Sequence, residues 1–125
     1  MLKVESLRLT KAMNEDPEFA LVARFWSGRF RVGIGDDARI VQIDNGRVEH
    51  IEDEPTVFDE WDFSIGGPSD GWEKMLQPEP RPFYQDIWSA VFWHDFTIEG
   101  DLEQFFAYHA AVRRTIQLMR QLVSV

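Results

Sequence analysis

The last third of the chain carries an apolar stripe that other parts of the protein must cover. Apolar side chains, with one histidine among them, recur there at alternating spacings of three and four: Leu102, Phe105, His109, Val112, Ile116, Met119 and Val123. This spacing predicts one amphipathic helix of about six turns. Phe96 and Ile98 alternate just before it and predict a short strand. Asp101 predicts the helix cap, with Gln104 placed for a loose capping box.

Composition excludes several classes of function. The 125 residues predict one domain, spanning 1–125. The absence of cysteine excludes disulfides and thiolate chemistry, and the net charge of −9 argues against binding to nucleic acid or anionic membranes. The N-terminal sequence has no apolar run typical of a signal peptide, and no stretch approaches the ~20 apolar residues of a membrane span. We therefore expect a cytoplasmic protein without stable membrane insertion.

Period-two alternation of apolar and polar residues predicts five strands, at residues 30–34, 38–44, 47–52, 61–65 and 96–98. Asn45-Gly46, between the second and third of these, is a strong hairpin signal. A two-residue turn there places Asp44 opposite Arg47 and Gln42 opposite Glu49.

Helical spacing and capping residues predict the remaining elements. Residues 2–13 favour a helix, and Asp16-Pro17 begins another that keeps Trp26 on its apolar face. Ser69 or Asp70 caps a short helix over 69–76, and residues 84–94 form a helix that is apolar almost all round, which is typical of a buried helix or one that borders a ligand. Because each strand has one apolar face, we predict an α+β fold: a five-stranded, mostly antiparallel sheet with helices packed on one face.

This order of elements, with the residues at its joints, resembles the sterol carrier protein type 2 family of lipid-binding domains, in a bacterial-type subgroup. The matching segments are 30–34 with 38–46, 61–67 with the helix over 69–76, and 96–101 before the final helix. The resemblance implies an apolar tunnel between sheet and helices that holds a fatty acid, an acyl-CoA or a sterol. The acidic charge departs from the basic animal carriers, and the ending Val123-Ser124-Val125 is not their Ser-Lys-Leu peroxisomal signal.

The candidate ligand-binding residues are aromatic and aliphatic side chains with one histidine: Phe63, Trp72, Trp88, Phe92, Trp93, Phe105, Phe106, His109, Val112 and Ile116. Two interpretations are open for the aromatic residues, which either fill a core or line a cavity. His109 is likewise either a core histidine bonded to a neighbour, the commoner arrangement, or a polar anchor for a ligand.

Catalytic and metal-binding patterns are missing from the sequence. His50, His94 and His109 lack the spacing of a metal site. His94-Asp95 is a poor catalytic pair because adjacent helix residues do not face each other. We therefore predict a non-enzymatic protein, with no metal or cofactor, that carries a lipid or another elongated apolar molecule. The alternative is an accessory or dimeric interaction module with a filled core, whose partner is a second copy or a lipid-metabolising enzyme.

Overall fold

The computed structural model describes residues 4–123. Helices and strands follow one another along the chain in this order: α1 (Ser6–Glu15), α2 (Pro17–Val22), β1 (Gly28–Ile34), β2 (Asp37–Asp44), β3 (Arg47–Glu52), β4 (Phe63–Gly67), α3 (Ser69–Met75), α4 (Ile87–Trp93), β5 (Thr97–Gly100), α5 (Leu102–Ala107) and α6 (His109–Val123). None of the helices within the described residues is long and apolar enough to span a bilayer.

The strands form one sheet in the order β3-β2-β1-β4-β5. β1 and β4 are parallel, and the other neighbouring strands are antiparallel. Phe30 and Phe63 are register partners on the apolar face, which is buried against the helices. Arg31 and Ser64 are partners on the opposite face, where the guanidinium donates a hydrogen bond to the hydroxyl at 3.2 Å. The predicted five-stranded, mostly antiparallel α+β sheet is confirmed.

The hairpin turn forms at Asn45-Gly46, both in the left-handed region with φ of 49° and 79°. Asp44 pairs with Arg47 as predicted. The predicted pairing of Gln42 with Glu49 is wrong, because a bulge between Gln42 and Ile43 shifts the register and pairs Gln42 with His50. The bulge places an extra residue between Val48 and Ile51, and both side chains are buried.

Several predicted helix boundaries are wrong because contacts distant in sequence end or replace the helices. α2 ends at Val22, so Trp26 lies in the connection to β1, where its carbonyl accepts a hydrogen bond from the Gly46 amide at 2.9 Å. α3 begins without the predicted side-chain cap. α4 begins only at Ile87, where the Asp86 carboxylate caps it by accepting from the Ser89 amide at 2.9 Å.

The predicted single C-terminal helix is divided into α5 and α6 at Tyr108. Asp101 caps α5 as predicted, accepting from the Gln104 amide at 3.1 Å. The Gln104 side chain does not complete the capping box, because its Oε1 accepts from the Trp26 indole at 3.0 Å. Tyr108 stacks on Trp26 with ring centroids 5.0 Å apart, and its hydroxyl donates to the Phe25 carbonyl at 3.1 Å. These contacts hold Tyr108 at φ −115°, outside helical geometry.

An ion pair joins α2 to α6. Arg114 donates to both carboxylate oxygens of Asp16, at 2.8 and 2.9 Å, and Asp16 also caps α2 through the Phe19 amide at 2.7 Å. Glu18 lies 2.8 Å from the same guanidinium. The hydrogen bond from Arg114 is the main cause that lowers the pKa of Asp16 below its ordinary value. The expectation that the arginines of the last helix are simply solvated is therefore wrong for Arg114.

We expect Asp16→Asn to lower the free energy of unfolding by about 1–3 kcal/mol, because asparagine keeps the helix cap but removes the charge that Arg114 binds. Since the folded-state pKa of Asp16 is lowered, its contribution is present above about pH 4 and is lost as the pH falls through the folded-state value. Urea unfolding from pH 3 to 8 measures this difference. Asp101→Asn, at a cap without an arginine, is the matched control; equal losses at both caps would contradict the prediction.

Candidate functional site

A stack of buried aromatic rings connects the sheet to α5. Trp26 and Phe30 stack with centroids 5.3 Å apart, and Phe30 and Phe63 stack at 5.6 Å. Phe63 then contacts Phe105 edge to face, also at 5.6 Å. All four side chains are fully buried. Phe63 and Phe105, both predicted site residues, therefore belong to the packed core in this structure.

The aromatic contacts continue from this core to the surface. Phe105 contacts Phe106 at 5.3 Å, Phe106 contacts Trp88 at 5.2 Å, and Trp88 contacts Phe92 at 5.0 Å. Trp88 is 39% exposed, Phe92 67% and Phe106 53%. We call Trp88, Phe92 and Phe106 the aromatic patch. Contiguous exposed aromatic surface of this kind marks a binding site more often than chance exposure does.

α4 presents two different faces although its sequence is apolar almost all round. Ile87 and Ala90 are buried against the core, whereas Trp88, Phe92 and Trp93 are exposed. Complete burial of α4 is therefore excluded in this structure, and the other expectation, that the helix borders a ligand, remains a prediction. A short helix with so small a buried face is among the elements that open most easily.

His109 lies at the beginning of α6, with its ring edge-on to Phe105 at 5.4 Å. Its Nε2 atom is buried and has no hydrogen-bond partner among residues 4–123. Burial is the largest cause that lowers the pKa of His109; Arg113 lowers it further and Asp86 raises it. The ring is therefore uncharged at neutral pH. The hydrogen bond expected of a core histidine is not made at Nε2.

The remaining predicted site residues have separate positions. Val112 and Ile116 are buried on α6, on the same side of the helix as His109. Trp72 instead anchors α3 to β1, because its indole donates to the Gly33 carbonyl at 2.8 Å. Trp93 stacks on Phe83 at 4.9 Å, at the other end of α4 from Trp88. The ring contacts therefore bring together Phe63, Trp88, Phe92, Phe105, Phe106 and His109.

Sequence reasoning overlooked several residues that shape this site. Trp26 and Tyr108 set the position of α5, and Phe83 adds exposed aromatic surface beside Trp93. The available signal was the high aromatic content, 14% of the chain, but that number does not say which rings meet.

The other histidines have structural surroundings. The His94 ring stacks on Tyr84 at 3.6 Å, at the C-terminal end of α4. His50 is exposed on β3 and lies 3.3 Å from Glu52. Across residues 4–123, no group of three or more histidine, aspartate and glutamate side chains is placed to hold a metal ion.

A polar cavity of about 500 Å³ lies on the opposite face of the sheet from the aromatic patch. Arg31 and Trp61 line it together with acidic side chains of the neighbouring loops, Asp36, Asp37, Asp53, Glu54 and Asp59. The aromatic patch and this acidic cavity are thus separate features, and only the first contains the predicted site residues.

No protein-family model matches the chain, and no curated protein matches it significantly. Solved structures with the same fold include sterol carrier protein 2, with a TM-score of 0.74 and 16% identity over 93% of both chains. The conserved hypothetical protein TT1886 of Thermus thermophilus, described as possibly a sterol carrier protein, has a TM-score of 0.69 and 16% identity, over 98% of this chain and 92% of its own.

A third similar structure is the ubiquinone synthesis protein UbiJ-SCP2, with a TM-score of 0.57 and 13% identity over 91% of this chain and 88% of its own. The chain therefore has the sterol-carrier-protein fold. The resemblance inferred from the order of its strands and helices is confirmed at the level of the fold.

The neighbours Phe105 and Phe106 provide a test of the boundary between core and patch. We expect Phe105→Ala to lower the free energy of unfolding by about 3–5 kcal/mol, because it removes a fully buried ring. Phe106→Ala removes a half-exposed ring and should cost less than about 1.5 kcal/mol. Chemical denaturation of both variants measures the difference, and similar losses would show that the two rings are equally buried in solution.

Proposed function

We propose that this chain is a non-enzymatic carrier of a lipid or another elongated apolar molecule, acting as one domain in the cytoplasm. The observation that carries the proposal is the continuous run of aromatic rings from buried Phe105 to the aromatic patch. The shared fold with sterol carrier protein 2 supports it. Further support comes from the unpartnered Nε2 atom of His109, which lies beside the same run of rings.

The bound molecule would lie between α4 and the α5–α6 unit. The aromatic patch would form its outer wall, and Phe105, Val112 and Ile116 its floor. Because these floor residues are packed in the present structure, binding requires α4 to move outward. Ile87 and Ala90 are the buried residues of α4, so this movement breaks few core contacts. Each CH₂ group of the ligand that is buried would contribute about 0.8 kcal/mol.

The proposed carrier should bind a fluorescent alkyl probe saturably after delipidation, and native mass spectrometry of fresh protein should show a co-purified apolar molecule. Trp88→Ala and Phe106→Ala should each weaken probe binding roughly 5- to 30-fold, because each removes a large apolar contact worth about 1–2 kcal/mol. A titration of probe fluorescence against protein concentration measures the affinity.

Phe58→Ala is the matched control, because Phe58 is an exposed phenylalanine in the loop between β3 and β4, away from the aromatic patch. The control should bind the probe like the wild-type protein. If the patch variants and the control bind equally, the proposed site is wrong; if none of the proteins binds, the carrier function is wrong.

Exposure of the aromatic patch also favours the second candidate, an interaction module that buries the patch against a second copy or a lipid-metabolising enzyme. Tryptophan and other aromatic side chains are enriched at protein interfaces. This function predicts a dimer in sedimentation experiments with the delipidated protein, and Trp88→Ala should convert it to a monomer. A monomeric wild-type protein that binds the alkyl probe would support the carrier function.

A further inference from the structure

The buried Nε2 atom of His109 restricts the chemistry of a ligand in the proposed site. A buried polar atom without a hydrogen bond costs about 1–3 kcal/mol, so such atoms are rare in folded proteins. The atom lies beside Phe105, where the aromatic run leaves the core. A polar group on a ligand at this point would supply the missing hydrogen bond.

The charges around His109 do not favour an anion. Asp86, which caps α4, and Arg113, on α6, act on the ring with opposite effects, so they offset each other there. Acidic side chains flank the patch on the same elements: Asp95 follows α4, Asp101 caps α5, and Glu103 lies in its first turn. The chain as a whole carries a net charge of −9. The faces of the aromatic rings also repel negative charge.

We propose that the ligand has an uncharged hydroxyl head group, which hydrogen-bonds to His109 Nε2 while its apolar chain lies along the aromatic patch. A hydroxyl both donates and accepts, so it satisfies the neutral imidazole in either tautomer. A carboxylate only accepts, and its burial beside an uncharged ring has no cation to compensate the lost hydration. The inference rests on the proposed carrier function and specifies the ligand class of that site.

Matched probes of equal chain length test the head group. Dodecan-1-ol and dodecanoate, at pH 8, compete with the uncharged fluorescent probe N-phenyl-1-naphthylamine for the delipidated full chain. We expect the wild-type protein to bind the alcohol more tightly than the carboxylate. His109→Leu should weaken dodecan-1-ol binding about 3- to 10-fold, the usual contribution of one hydrogen bond, and leave dodecanoate within about twofold.

Two further variants make the result specific. His109→Gln keeps a donor and an acceptor and should retain alcohol binding within about threefold, which also provides a second measurement if His109→Leu fails to fold. His50→Leu removes an exposed histidine on β3 and should change neither affinity.

The outcomes separate this inference from the carrier function itself. Failure of the protein to bind the naphthylamine probe, the alcohol or the carboxylate would overturn the carrier function and the inference together. Saturable binding with unchanged alcohol affinity in His109→Leu would overturn only the inference. A carboxylate that binds more tightly than the alcohol, and loses that advantage in His109→Leu, would also overturn it, because His109 would then recognise an anion.

Discussion

The packing of Trp26 is the interaction on which the rest of the structure depends. Its ring stacks on Phe30, on Phe63 and on Tyr108, and its indole nitrogen donates to Gln104. It therefore joins the first connection of the chain, two central strands and the C-terminal helical unit at one buried point. Since Trp26 is fully buried, this network is closed to water, and each of its hydrogen bonds and ring contacts is correspondingly hard to replace.

The helix break at Tyr108 follows from that packing and gives the candidate site its geometry. Contacts with Trp26 and with the Phe25 carbonyl hold Tyr108 outside helical geometry, so α6 begins anew at His109. α5 then directs Phe105 into the core and leaves Phe106 at the surface beside Trp88. The same architecture thus produces a packed core, an exposed apolar surface and a buried polar atom within a short distance along the chain.

Much of the fold could be predicted because its signals are local. Asn45-Gly46 adopts the backbone angles of the hairpin turn that its residue types favour, and the carboxylates of Asp16 and Asp101 cap the helices that follow them. The bulge after Gln42 and the ion pair between Arg114 and Asp16 could not be predicted in this way. The ion pair joins residues 98 positions apart, and no pattern in either segment specifies the other.

The sequence by itself determined the turns, the caps, the apolar face of each strand and the order of elements, since these depend on neighbouring residues and on a fixed period. The tertiary structure alone decided which aromatic residues are core and which form the patch: Phe63 and Phe105 are enclosed, whereas Trp88 and Phe106 remain exposed. It also decided that His109 Nε2 is buried without a partner among the residues described. Burial and hydrogen bonding depend on what packs against a side chain from distant parts of the chain, and periodicity carries no information about that.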